Sequence, residues 1–482
     1  MRFCRSLVSP ALPSRPSAGQ RPRLAAGALL LCLFASLAAT PAHGCYAVVV
    51  GRDASTDGSI LVGHAEQSGT DRHPNLRVIP PLRHDPGSEI LLRAGGRLPQ
   101  APETHGFIWS QLPGLEFSDA YMNQWGVGVV TDVCSTREDR PDLTDGGIGY
   151  QLRRIVAQRS RTAREGVHLA GQLVEQFGYS ATGRTMVIAG PREAWLVSLV
   201  QGRHWVARRV PDDGAVLLPN VHIITQVDLG DTLNYLGSPD IVDYAVARGW
   251  YDPDSGQPFS FRAAYNHRER LDPRQWRGQQ IVLGVTEPPL VDGQLPFAVR
   301  PGQPLGIGDV AAILRDREGE RPLRREETQE IAIFQLRGHL PPAIGCVYWR
   351  AATEPCTGLL VPWYAGITQT PEDQFHAVPL PEVLTTAYHF SPAAEVAGAA
   401  WSTFIGLQKA VNAGPPAAMD SMRAAQEGFE GSLLRVQSGV EARALMIHAQ
   451  DPASASEYLT RYSADVSARA QTLAEMVRKA VQ

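Results

Sequence analysis

Cys45 is the residue whose chemistry depends most on where it stands. It follows Ala42-His43-Gly44, after an apolar run from Leu24 to Ala39 and a Thr40-Pro41 break. Arginines before an apolar stretch, then a break and small residues at −3 and −1 of a cut, are the grammar of a secretory leader. Cleavage after Gly44 would leave a thiol and a free α-amine on one residue, so that nucleophile and proton acceptor arrive together. An α-amine titrates at roughly 7.7–8.0 and a thiol at about 8.5, so a small environmental push near neutrality gives a neutral amine or a thiolate. The course this predicts is attack of sulfur on an amide carbonyl, a thioester, and hydrolysis by water assisted by the freed amine.

Two other fates compete for Cys45. A cysteine straight after a leader is where bacterial lipoproteins are lipidated, which would consume the sulfur and block the amine. Ala42 and His43 depart from the bulky aliphatic and small residue that such a signal carries at −3 and −2. An uncleaved anchor is the other fate, although the apolar run is short against the roughly 20 residues of a membrane span. Membrane contact is expected only in these two cases. Otherwise the protein is expected to be exported, in the periplasm or outside the cell.

Composition narrows the classes. The first 44 residues hold five arginines and no acid, so the remainder carries 40 basic against 49 acidic residues, net about −9, which argues against a nucleic-acid partner. Lys409 and Lys479 are the two lysines of the chain. Beyond Cys45 the chain after the leader has Cys134, Cys346 and Cys356, too few for a disulfide scaffold. A Cys346 to Cys356 bridge and two unpaired core thiols are both open. There is no phosphate loop, H-E-x-x-H, C-x-x-C or G-x-S-x-G, so neither a metal nor an organic cofactor is expected.

The elements that must hold Cys45 come next. Tyr46–Val50 is a buried strand by its continuous apolar character, Gly51–Gly58 a Gly/Asp turn, and Ile60-Leu61-Val62 a second strand. Capping residues Thr162 and Glu165, an apolar stripe through Ala163, Val167, Ala170 and Val174, and a stop at Gly178 predict a helix. A helix is also expected from Gly147 to Arg159. Strands are expected at Thr185–Ala189, Ala194–Val200 and His204–Val210, and Asp212-Asp213 reads as a turn. Residues 251–306 read as surface insertions or cleft-lining loops, and Asn266–Arg270 as a charged, solvated helix face. Trp349, Trp363 and Tyr364 read as buried packing, or alternatively as an aromatic wall to a pocket. From Ser391 to Gln482 the chain turns Ala-rich and helical, broken at Gly414-Pro415-Pro416 and Asp451-Pro452, with helices packed on the body or on a second subunit.

Cys45, Val50-Gly51, Ala54-Ser55, Asp57-Gly58-Ser59, Gly63 and Glu66 together resemble the opening of the cysteine dipeptidases of the N-terminal-nucleophile superfamily, which include the secernins. The resemblance continues through Asn123-Gln124-Trp125-Gly126-Val127, Glu193-Ala194-Trp195, Asn220, Leu340-Pro341 and Val361–Gly366. Related folds occur in bile salt hydrolases and penicillin V acylases. The resemblance implies an α+β fold, a four-layer αββα sandwich, over residues 45–390, with 1–44 as signal peptide and 391–482 as a helical C-terminal extension. It implies a thiol protease acting on dipeptides, with Cys45 as nucleophile and the amides of Asn123 and Asn220 as oxyanion donors. Where relatives carry Ala-Arg-Asn-Glu/Asp-Asp, this chain has Gly63-His64-Ala65-Glu66-Gln67. His64 stands where an arginine is expected and Gln67 where a carboxylate is, so Glu66 takes over the charge or Gln67 keeps only a hydrogen bond. That departure leaves other linear or N-acyl amides as alternative substrates. A lipoprotein anchored at Cys45 with a binding role is the alternative of another class.

Overall fold

Tyr46–Val50 is buried at all five positions, as a continuous apolar run requires of a strand covered on both faces. In the computed structural model, which describes residues 44–67, 74–111, 120–267, 271–291, 293–319, 322–375 and 400–482, this strand lies inside the smaller of two main sheets. Residues 1–43 of the leader and the expected boundary at residue 390 fall outside the described residues.

The six-stranded sheet is built from β1 (Tyr46–Val50), β2 (Ile60–Glu66), β10 (Ala215–Leu218), β12 (Glu330–Leu336), β13 (Cys346–Ala352) and β14 (Val361–Tyr364), in the order β10-β1-β2-β12-β13-β14. The eight-stranded sheet holds β3 (Asn75–Ile79), β4 (Phe107–Gln111), β5 (Ala120–Asn123), β6 (Gly128–Val133), β7 (Arg184–Ala189), β8 (Ala194–Leu199), β9 (Trp205–Arg209) and β11 (Tyr235–Gly237). Its order is β11-β9-β8-β7-β6-β5-β4-β3. β1 and β2 pair antiparallel with Tyr46 opposite Ala65 and Ala47 opposite His64, so the expected nucleophile hairpin is formed.

Alternation along each strand divides the layers. On β7, Met186 and Ile188 join the apolar cluster that contains Leu152 and Val156 of helix α1 (Gln151–Arg159) and Val167 and Val174 of helix α2 (Ala163–Phe177). Val187 and Ala189, pointing the other way, join the cluster that contains β1 and β2. The outer face of the smaller sheet is covered by helices α3 (Pro273–Leu283) and α4 (Ile307–Leu314). The approach is close: a Cβ on Gly63 would lie 2.4 Å from Val310 of α4. Helices outside two facing sheets are the four-layer αββα arrangement.

α2 begins and ends where its sequence says. Thr162 Oγ1 accepts the Glu165 amide at 3.2 Å, and the Glu165 carboxylate accepts the Arg161 amide at 2.7 Å. α1 starts at Gln151, four residues later than expected, because Gly147, with φ 84°, lies in a turn. The segment 251–306 contains α3 as well as loops, capped by Asp272, whose side chain accepts the Arg274 amide at 2.8 Å. Asn266 is buried, exchanging two 3.1 Å hydrogen bonds with the backbone of His222, so the solvated helix face expected around it is corrected at that residue. Trp349, Trp363 and Tyr364 are at most 2% exposed and belong to the core, as the packing reading expected. Helices α5 (Ala400–Ala413), α6 (Pro416–His448) and α7 (Pro452–Val481) break at both expected proline sites. They pack against β13 and β14 and each other. No described helix is long and apolar enough to cross a membrane.

Candidate active site

Cys45 immediately precedes β1, and its side chain points to the same face as Ala47, opposite Tyr46 and Val48. Extending the register puts Cys45 opposite Glu66, and Cys45 Sγ donates to Glu66 Oε2 at 3.5 Å. Both residues are buried, Cys45 at 5% exposure and Glu66 at 3%. His64 lies two residues along the same face. Its Nε2 is 3.1 Å from the carbonyl oxygen of Thr131 and 3.9 Å from Asp132 Oδ2, both on β6 of the facing sheet. Gln67 turns away, its Nε2 donating to the Leu323 carbonyl at 3.4 Å. The carboxylate beside the thiol is therefore Glu66.

Asn220 follows β10, the strand on the other side of β1. Its Oδ1 accepts from Arg274 Nη2 at 2.6 Å, while its Nδ2 is buried and has no hydrogen-bond partner among the described residues. A buried amide N–H without a partner is costly, and an anionic or carbonyl oxygen would relieve it. Arg274 Nη1 donates to the carbonyl oxygens of Gly44 at 2.9 Å and Cys45 at 3.2 Å. Gly44 sits so tightly against Asn220 that a Cβ there would fall 1.8 Å from Oδ1. The peptide bond joining leader to body thus lies among Cys45, Asn220 and Arg274.

Asn123 is placed differently. Its Oδ1 accepts from the amides of Trp125 at 3.0 Å and Val127 at 2.9 Å, and its Nδ2 donates to the carbonyls of Ala157 at 2.9 Å and Ser160 at 2.7 Å. The donor expected of it is already engaged in joining the β5–β6 turn to the end of α1. Arg274 and Asp132 were not singled out by sequence reasoning. The signal for Asp132 is a lone acid in the apolar run Val127–Cys134, which marks a buried charge. Asp272-Pro273 signals the start of α3, but nothing in the sequence shows that Arg274 points inward.

The other thiols are inert by environment. Burial pushes Cys134 and Cys346 up to about 12 and raises Cys356. Cys346 and Cys356 are separate thiols, and no bridge joins them.

The site is a buried thiol beside a carboxylate on a sheet of a two-sheet sandwich, and comparison with known proteins gives the class of the chain. The model for Peptidase family C69 matches residues 44–411, and the chain belongs to that family. It is a peptidase, and the dipeptidase resemblance drawn from its motifs holds. It is 24% identical over 376 residues to a "Probable dipeptidase" of Latilactobacillus sakei, covering 71% of this chain and 78% of that one. It is 25% identical over 393 residues to a "Dipeptidase" of Bifidobacterium longum, covering 68% and 72%. Among solved structures it is similar to a conjugated bile acid hydrolase from Clostridium perfringens, with TM-score 0.30 and 11% identity over 64% of this chain and 89% of that one.

Proposed function

We propose that this chain is an exported dipeptidase whose nucleophile is the sulfur of an N-terminal Cys45, exposed by removal of the leader after Gly44. One observation carries the reading. The Gly44 carbonyl, which belongs to the bond that must be cut, accepts from Arg274, the same guanidinium that donates to Asn220 Oδ1, and the Gly44 α-carbon packs tightly against that amide. A substrate carbonyl in that place meets the same groups.

The freed α-amine of Cys45 takes the thiol proton, and Glu66 provides the negative charge that holds the resulting ammonium. Sulfur attacks the substrate carbonyl, and the Nδ2–H of Asn220 donates to the developing oxyanion. Arg274 engages Asn220 through Oδ1, which leaves the Nδ2–H as the amide's unused donor. The ammonium passes its proton to the departing amine, leaving a thioester, and water assisted by the amine releases the acid. Dipeptides as substrates are the reading favoured by the dipeptidase relatives.

The test is turnover of a dipeptide panel and of N-acyl amino acids by the purified mature protein and its Cys45→Ala variant. The expected result is dipeptide hydrolysis abolished in the folded variant. Turnover of N-acyl amino acids alone would replace dipeptides with linear amides, and undiminished activity in Cys45→Ala would remove the mechanism.

A further inference from the structure

Cys45, His64 and Asp132 form a buried group whose donor atoms, one sulfur, one imidazole nitrogen and one carboxylate oxygen, all lie within 4.8 Å of one another. The proposed catalytic sequence uses the thiol and leaves His64 and Asp132 without a chemical role. Two features make this more than a chance cluster. The donors come from both sheets, Cys45 and His64 from the β1–β2 hairpin and Asp132 from β6, so the fold itself clamps them. And all three are at most 5% exposed, in a setting where water competes poorly for a bound ion.

Thiolate, imidazole and carboxylate are the donor set of a zinc-like ion. Zinc bonds of roughly 2.0–2.3 Å set tetrahedral donors about 3.3–3.8 Å apart, so the group needs to close by about an ångström. The Asp132 carboxylate already stands 3.9 Å from His64 Nε2, and closure requires side-chain rotation to bring the remaining donors in, with the present contacts of these side chains exchanged for the ion. The imidazole binds as the neutral form, with Nε2 bare and its contact to the Thr131 carbonyl given up. A fourth donor appears on maturation. An N-terminal cysteine offers its amine and its sulfur to one ion in a five-membered chelate, whereas the amide nitrogen of an unprocessed Gly44-Cys45 bond is no ligand.

We propose that the mature protein binds one zinc-class divalent ion through Cys45, His64 and Asp132, and that this ion reversibly shuts the peptidase off. The ion takes the thiolate and the amine together, so nucleophile and base are lost in one step. The ion is an inhibitor and no cofactor of the reaction. An arginine at position 64, as the resemblance expects, would exclude it by charge and by lacking a bare nitrogen. The inhibitory part rests on the nucleophile proposed above; the binding part does not.

The experiment is titration of the chelator-treated mature protein with Zn2+ by calorimetry and with Co2+ by absorption, beside His64→Ala, Asp132→Asn and Cys45→Ala, with a thermal melt of each to confirm folding. The expected result is one equivalent bound, with a near-ultraviolet thiolate-to-cobalt band that is absent in Cys45→Ala. Affinity should fall by at least about tenfold in His64→Ala and in Asp132→Asn, the scale that even an outer-shell partner commands. Dipeptide turnover should stop at one equivalent of Zn2+ and return with chelator. No binding, no thiolate band, or affinity unchanged in both folded variants overturns the site. Binding with a thiolate band but undiminished turnover overturns the inhibition. A protein that binds zinc as expected but hydrolyses no amide before the metal is added refutes the proposed function and leaves the metal site standing.

Discussion

Asn220 shows how little separates a turn asparagine from a catalytic one. Asparagine is common in turns because its side chain bonds the local backbone; Asn123 does this with Oδ1 and spends Nδ2 on the carbonyls of Ala157 and Ser160, so that its whole amide is engaged. Asn220 instead has its oxygen bound by Arg274 and its buried N–H left over among the described residues. Type and neighbouring sequence do not distinguish the two residues. What separates them is the partner that each amide finds across the fold. Asn220→Ala should lower kcat by about 10²–10³-fold, the scale of one oxyanion donor, with the melting temperature little changed. A kcat within twofold of the parent would remove Asn220 from the reaction. The same limit explains why Arg274 was not foreseen: it lies in a Pro- and Gly-rich stretch that reads as surface, yet it is 8% exposed and reaches the Gly44 carbonyl.

Among the elements, the β1–β2 hairpin and α2 were legible because each announces itself locally. The hairpin is two apolar runs around a Gly/Asp turn, and α2 has a cap, a stripe and a stop. The segment from Asn220 to Ile224 carries no such pattern, and it is held by contacts distant in sequence. His222 Nδ1 meets Thr185 Oγ1 on β7 at 3.1 Å, and Asn266 grips the His222 backbone on both sides. Burial holds the His222 imidazole down at about 3. Its unfolded counterpart titrates at about 6.5. Between these values the unfolded chain takes up a proton that the folded one refuses, so stability falls as pH drops through this window, by up to about 1.4 kcal/mol per pH unit. Denaturant melts from pH 7 to pH 4 should show this slope, and His222→Gln should flatten it. An unchanged slope in the variant would mean that His222 is not what the acid limb reports.

On the scale of the whole molecule, the helical C-terminal region is fastened to the end of β12 and to the end of α4 by buried and part-buried charges. Arg337 donates to both carboxylate oxygens of Glu441 at 2.7 and 2.6 Å, and Arg315 does the same to Glu430 at 2.9 and 2.7 Å. Gln426, Glu430, Gln437 and Glu441 form one polar stripe of α6, all at most 8% exposed. In the sequence such a stripe reads as a solvated helix face. The helices and their packing on the body were therefore legible from apolar residues such as Met422, Phe429 and Leu433, while the polar part of the buried face was not. Glu441→Ala strands the Arg337 charge in the interior and should cost about 3–5 kcal/mol in urea unfolding. Arg337→Met with Glu441→Leu should recover most of that loss, since neither charge is then left alone. A cost below about 1 kcal/mol for the single change would mean that the pair is hydrated and the helices are held by apolar packing alone.

The proposed catalysis turns on one event, exposure of the Cys45 amine, and intact mass with N-terminal sequencing of the exported protein reads it directly. The predicted result is a chain that starts at Cys45 and carries no added mass. A chain that starts at any other residue, or a lipid on that sulfur, would contradict it.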